Sequence, residues 1–209
     1  MTPRIPRPFE YVAQRLPIAL PNMGSLVAAL TVLAYVAKLV NHTPLDRFIF
    51  DPDRIFAGEW WRLFAFPLSP SLDNPLWLLF YVLYVYYVLN GLEQVWGDKN
   101  TTLFVALAYL CTCLAACLVH RPIFVWFYIL ENAGLAFGTL FPRVEFLLFF
   151  ILPVQARWLA LAAGGVFFFH WIMGDVREKV FLSIVLLPYF LFFSPFLLSL
   201  AKGYLKRRR

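Results

Sequence analysis

The sequence predicts an all-α polytopic membrane protein with six transmembrane helices and a long loop between the first two. Hydrophobic residues make up 62% of the 209-residue chain and charged residues only 14%, whereas a soluble domain has roughly half and a quarter. The apolar residues also fall in six runs of about the length that crosses a bilayer as a helix. A backbone in lipid must satisfy its own hydrogen bonds, which favours helices packed against one another.

The chain divides into three predicted parts. Residues 1–23 are expected to form a cytoplasmic or interfacial tail, because prolines interrupt them and they lack the apolar core of a signal peptide. Residues 24–201 are expected to form the membrane domain. Residues 202–209 are expected to form a basic cytoplasmic tail, whose charges favour contact with anionic lipid headgroups.

The loop between the first two predicted helices, residues 41–75, is the longest connection. It is net acidic, which fits the non-cytoplasmic side of the membrane. Trp60 and Trp61 suit the headgroup zone, where aromatic rings concentrate. A loop of this length is usually functional or partly embedded.

The later connections are short. Residues 93–100 are predicted to form a tight polar turn and residues 120–122 a very short loop, so that the helices they join are antiparallel neighbours. Residues 142–157 hold an apolar stretch expected at the membrane interface, and Pro188 and Pro195 are expected to kink the sixth helix. The six predicted spans are residues 25–40, 76–92, 102–119, 123–141, 158–173 and 180–200.

The net charge of +6 is placed as in a membrane protein. Of the 18 basic residues, 11 lie in the two tails and in the turns after the second and fourth predicted helices, where they include Lys99, Arg143 and Arg157. With six spans, all of these fall on one side, which the positive-inside rule makes cytoplasmic. We therefore expect an integral protein of a bacterial inner (plasma) membrane, with both termini cytoplasmic. The expected partners are membrane lipids and another transmembrane protein, and not nucleic acid.

The three cysteines, Cys111, Cys113 and Cys117, lie in one apolar run without a nearby histidine or carboxylate. Their spacing matches no zinc pattern, and small buried residues at a helix interface are the favoured interpretation. The chain also has no nucleotide motif or phosphate loop. We therefore predict neither a metal nor a cofactor.

Three motifs resemble those of the rhomboid family of intramembrane serine proteases and their inactive relatives. Residues 58–62 (GEWWR) resemble the Trp-Arg motif of the family's large first loop, and residues 91–97 (GLEQVWG) resemble the Glu-x-x-x-Gly that closes its second helix. Pro142 and residues 147–159 resemble the stretch between helices four and five in many bacterial members. The resemblance covers residues 58–193 and implies a six-helix fold. It also implies that Arg62 anchors the first loop by bonding carbonyls; a surface salt bridge with the preceding glutamate is the alternative.

The family's chemistry needs a serine on helix four, in Gly-x-Ser-Gly, and a histidine on helix six that takes its proton. The fourth predicted helix contains no serine and the sixth no histidine. The closest fit to the motif places Ala133 at the nucleophile position. The positions of the oxyanion helpers fall near Trp77 and Tyr81. The resemblance therefore implies a catalytically inactive member without catalytic residues.

A displaced dyad is the alternative. His170 lies in the fifth predicted span and Ser183 near the start of the sixth, so the two side chains are candidate neighbours. A histidine packed at a helix interface and a serine bonded to backbone explain the same residues, and we favour that interpretation.

Polar residues inside the spans carry the remaining hypotheses. Glu131 sits in mid-span beside Asn132, and a carboxylate in a bilayer marks a functional site by default. One hypothesis is an intramembrane polar pocket of Glu131, Asn132 and His170 that grips a client helix or a partner's cation; an internal hydrogen bond that fixes packing is equally compatible. Gly134 and Gly138 form a small-x-x-x-small pair suited to close helix contact, and internal packing is favoured over dimerisation.

The leading functional prediction is a rhomboid-like pseudoprotease that binds transmembrane proteins, or acts as an accessory membrane subunit, without cleavage. One alternative is an active rhomboid-type intramembrane serine protease. The other is a structural subunit of a larger membrane complex.

Overall fold

The protein is a predominantly α-helical membrane protein, as its composition predicts. The computed structural model describes residues 7–15, 19–41, 49–64, 74–148 and 152–194. The predicted basic tail, residues 202–209, and the end of the predicted sixth span lie outside the described residues. Four of the described helices are long and apolar enough to cross a membrane, by length and composition: Met23–Val40, Pro75–Trp96, Asp98–Val119 and Ala156–Met173.

The described elements follow the order of the predicted spans, with additions in the N-terminal tail, the first loop and the region after the fourth span. In chain order they are α1 (Arg7–Arg15), α2 (Met23–Asn41), α3 (Pro52–Phe56), a 3₁₀ helix (Trp60–Leu63), α4 (Pro75–Trp96), α5 (Asp98–Val119), α6 (Val125–Leu140), β1 (Glu145–Leu148), β2 (Leu152–Gln155), α7 (Ala156–Met173) and α8 (Val176–Val185). Residues 187–194 are helical beyond α8.

The tight turn predicted at residues 93–100 is present, but it is much shorter than predicted. Helix α4 continues through Trp96 and α5 begins at Asp98, so that Gly97 alone separates them. Gly97 has a φ of +77°, a conformation that glycine adopts without the steric cost of a side chain. Residues 93–96 therefore belong to the last turn of α4, and the chain reverses direction at Gly97 alone.

A break in the last helix matches the kink predicted at Pro188, whereas Pro195 lies outside the described residues. Helix α8 starts at the Asp175 cap, whose carboxylate accepts a hydrogen bond from the Glu178 amide at 2.8 Å. It ends at Val185, and the helix resumes after a turn at Leu186. Pro188 explains the break, because proline has no N–H to donate to the carbonyl four residues earlier and its ring clashes there.

A small hairpin occupies the region predicted as an interfacial apolar stretch. Strands β1 and β2 pair antiparallel, with Glu145 opposite Gln155 and Phe146 opposite Val154. The hairpin leads directly into α7, and the Ala156 amide bonds the Val144 carbonyl at 2.7 Å. It therefore fixes the first turn of α7 beside the end of α6.

Helix α6 lies at the centre of the bundle. It packs against α4, α5 and α7, whereas α2 packs on the outside of α4, and α5 packs against α8. Most of α6 is buried, but in α7 only Ala156 and Phe167 are buried. Helix α7 therefore joins the bundle chiefly through α6 and leaves most of its surface exposed.

The first loop docks over the turn between α5 and α6. Phe50 and Ile123 exchange backbone hydrogen bonds of 3.1 and 2.9 Å, and the Tyr109 hydroxyl donates to the Leu63 carbonyl at 2.6 Å. We call this end of the bundle the first-loop face. At the opposite end, the Glu93 carboxylate accepts from the Met23 amide at 2.7 Å, which ties the start of α2 to the end of α4.

Candidate functional site

The first-loop motif is built around a buried arginine. Arg62 lies in the 3₁₀ helix, and its side chain is only 2% exposed. Its Nη1 donates to the Ile49 carbonyl at 2.9 Å, and its Nε donates to the Glu59 carboxylate. Both interactions considered from the sequence are therefore present at once, whereas Trp60 and Trp61 are exposed. The motif holds the loop together and presents its indole rings outward.

Glu131, Asn132 and Ala133 are consecutive in α6 and point in different directions, because successive helical side chains are about 100° apart. Asn132 and Ala133 are fully buried. The Asn132 amide donates to the Tyr128 carbonyl at 2.9 Å and to the Val185 carbonyl at 3.0 Å. Asn132 therefore bonds the end of α8, next to the break, and lies on the side of α6 that packs against α8.

Glu131 faces a separate cavity of about 40 Å³ between α4, α6 and α7. The carboxylate forms no hydrogen bond or ion pair with any residue that the structure describes. Tyr84 contributes the other polar side chain. We call this space the Glu131 cavity, and it is lined by Tyr84, Val88, Glu131, Gly134, Phe137, Phe146, Ala156, Leu159, Ala160 and Ala163.

The three residues of the predicted polar pocket do not share one cavity. Of Glu131, Asn132 and His170, only Glu131 lines the space described above. His170 is exposed on α7, with its ring centroid 6.2 Å from that of Phe169. The structure thus separates a buried packing residue, a carboxylate in a cavity and an exposed imidazole.

A second opening lies on the other flank of α7. This groove of about 770 Å³ separates α7 from α8 and residues 187–194 and is almost entirely apolar. We call it the α7 groove, and it is lined by Leu135, Ala160, Leu161, Gly164, Gly165, Phe167, Phe168, Trp171, Leu182, Ser183, Leu186, Tyr189 and Phe190.

Ser183 in the α7 groove lacks the partner of a nucleophile. Its hydroxyl donates to the Lys179 carbonyl at 2.7 Å and accepts from the Trp171 indole N–H at 3.1 Å. Neither partner takes up a proton, so the hydroxyl is not activated. Across the described ranges, no serine hydroxyl is hydrogen-bonded to a histidine ring. The arrangement matches the interpretation of a serine bonded to backbone.

The two α6 glycines allow close internal contacts. A side chain at Gly134 would collide with the Tyr84 hydroxyl, and one at Gly138 would meet Ala160 and lie 2.9 Å from the Ala156 carbonyl oxygen. Gly138 thus lets the start of α7 pack directly on α6, in line with the internal role favoured from the sequence.

Sequence reasoning did not find the α7 groove. The pair Gly164 and Gly165 was the available signal, because adjacent glycines have no side chains and leave a shallow depression on the surface of a transmembrane helix. A Cβ on Gly165 would meet no atom within 4 Å, so this depression faces the groove and not a neighbouring helix. The signal was present, but it does not show whether a glycine faces a packed helix or an open flank.

No family model matches the chain, and no curated protein or solved structure matches it either.

Proposed function

We propose that this chain is a rhomboid-like pseudoprotease that spans the membrane six times and binds transmembrane segments of other proteins without cleaving them. One observation carries the proposal: α7 is attached chiefly to α6 and is open on both flanks, at the Glu131 cavity and at the α7 groove. A helix exposed on both flanks can be approached by another helix sideways from the lipid.

The six spans add two elements to the four long apolar helices. Helix α6 has 16 residues, which gives about 24 Å of helix. Residues 176–194 would reach about 28 Å with the break included, close to the roughly 30 Å of a bilayer core. In this arrangement Lys99, Arg143 and Arg157 lie on the side opposite the first-loop face, which supports an inner-membrane protein with cytoplasmic termini.

A helix is a better occupant of these openings than a folded domain. From Ala160 to Trp171, the wall that α7 gives to the groove is about 16 Å long, or three turns. Small residues, Gly164 and Gly165 among them, lie along it, and such residues let helix backbones approach closely in membranes. The open flanks therefore suit helix-on-helix contact.

Site-specific photocrosslinking in membranes tests the proposal. A photoreactive residue is placed at Val166, which lies on the same face of α7 as Ala163, at Phe168 in the α7 groove, or at Leu114 on α5. These three side chains are 55%, 62% and 55% exposed, so general contact with neighbouring proteins should affect them equally.

The expected result is a defined transmembrane peptide, identified by mass spectrometry, at Val166 or Phe168 and not at Leu114. Equal labelling of all three positions would rule out a lateral binding site along α7.

Two further measurements separate the alternatives. A fluorophosphonate probe is expected to leave the protein unlabelled; labelling that disappears in Ser183→Ala would establish an active serine protease. Purification in mild detergent is expected to yield the chain without a stoichiometric partner. A partner that stays bound in a fixed ratio would favour the structural subunit.

A further inference from the structure

We propose that Glu131 is the binding site for a lysine in the transmembrane helix of the partner. The inference rests on the proposed function. It places the partner helix on the side of α7 that faces α4 and specifies that this helix carries a lysine. It starts from a carboxyl group inside the membrane domain that forms no ion pair with any described residue.

No described residue supplies a counter-charge to Glu131. In the described part of the chain, the ion pairs of Arg54, Arg62, His120 and Arg121 all lie at the first-loop face, in loops and helix ends. An ionisable group within a bilayer is costly and is ordinarily paired or placed in a cavity. Glu131 has the cavity, and a cation is the group that is missing from it.

The size of the cavity limits what enters it. About 40 Å³ holds about three water-sized groups. A lysine ammonium fits in this space, and its three donors match the two acceptors there better than the five donors of a planar guanidinium. A whole helix does not fit, so the partner helix must lie outside, between α4 and α7, with one side chain inserted.

The lining suits an ammonium group. The Glu131 carboxylate and the Tyr84 hydroxyl both offer acceptor oxygens, and both residues line the same cavity. Small residues of α7 (Ala156, Ala160 and Ala163) form the opposite wall, which leaves room for the apolar stem of the lysine. Glu131 is only partly buried, so the cavity remains open to the side.

The position of Glu131 also sets the depth of the lysine. Glu131 is six residues after Val125, the start of α6, which places it about 9 Å from that end of the helix. Since Ile123 pairs with Phe50 of the first loop, that end lies at the first-loop face. The partner's lysine is therefore expected in the half of the membrane nearer to that face.

Model transmembrane helices test the inference. Leucine-alanine peptides of about 22 residues carry one lysine at the matching depth, one lysine two turns deeper, or no lysine. Each is reconstituted with the full chain in phosphatidylcholine–phosphatidylglycerol vesicles, and binding is measured by fluorescence energy transfer. The proteins compared are the wild type, Glu131→Gln, Glu131→Asp and the control Glu145→Gln, which removes a carboxylate from the hairpin. Circular dichroism verifies that each variant is folded.

We expect the matched-lysine peptide to bind the wild type at least about tenfold tighter than the lysine-free peptide. Glu131→Gln should lose this preference and keep the weaker binding, whereas Glu131→Asp and Glu145→Gln should retain it. The peptide with the deeper lysine should bind more weakly than the matched one.

The failures are distinguishable. If all three peptides bind the wild type equally, or if Glu131→Gln keeps the lysine preference, the charge pairing is overturned and the proposed helix binding stands. In that case the cavity holds water or fixes packing only. If no peptide binds and Val166 captures no transmembrane segment, the proposed function on this flank falls as well.

Discussion

Replacing Arg62 with alanine tests whether one buried guanidinium holds the first loop. A hydrogen bond from a charged donor contributes about 1.5–3 kcal/mol, and Arg62 donates one such bond to the Ile49 carbonyl. The pair with Glu59 adds less, about 0.2–1 kcal/mol, because the Glu59 side chain is 33% exposed. We expect Arg62→Ala to lower the free energy of unfolding by about 2–4 kcal/mol.

The assay is denaturant titration in detergent micelles, followed by tryptophan fluorescence and by hydrogen exchange of residues 49–64. Arg54→Ala is the matched control, since the Arg54 side chain is 56% exposed in its pair with Asp51 and should cost less than about 1 kcal/mol. Arg62→Lys keeps the charge and loses the planar fork of donors, so it should fall between the two.

The reasoning is refuted if Arg62→Ala loses no more stability than Arg54→Ala. It is also refuted if exchange in residues 49–64 does not accelerate, because the loss of stability would then arise elsewhere in the bundle. An unfolded Arg62→Ala protein would leave Arg62→Lys as the decisive comparison.

The remaining predictions concern the interior of the bundle. Gly138→Ala should lower the melting temperature by the equivalent of about 1–3 kcal/mol, because its Cβ meets Ala160; Gly165→Ala, with open space around it, should be neutral or stabilising by up to about 1 kcal/mol, and an equal loss in both would contradict the packing argument. Asn132→Ala should cost about 1–3 kcal/mol because the Val185 carbonyl loses its donor, and unchanged melting would show that this bond contributes nothing.

The helices were predictable because their apolar runs are close to the thickness of a bilayer. The boundary between α4 and α5 was not, because polarity alone suggested a turn where the helix continues. Glu93 stays helical while its carboxylate bonds the Met23 amide, and Trp96 packs against Phe104 and Phe192 at 5.3 and 5.4 Å between ring centroids. The contacts with Met23 and Phe192 join distant parts of the chain, which a local pattern does not reveal.

The hairpin escaped prediction for a related reason. Residues 145–155 are mostly apolar, and such a run does not by itself distinguish a strand from a helix or an interfacial segment. Contacts with α4 and α6 accompany the strand pairing: the Phe146 ring lies 5.5 Å from that of Phe137 and 6.2 Å from that of Tyr84. The choice of strand therefore depends on tertiary contacts.

The candidate site shows the same limit at the level of two neighbouring residues. The sequence placed Glu131 and Asn132 in one pocket because they are adjacent, but adjacent helical residues face directions about 100° apart. Asn132 reaches the Val185 carbonyl and joins α6 to α8, whereas Glu131 opens toward α4 and α7. Asn132 fills one side of α6, and Glu131 places on the other side a carboxyl group with no cationic partner among the described residues, so a partner's cation is expected on the Glu131 side.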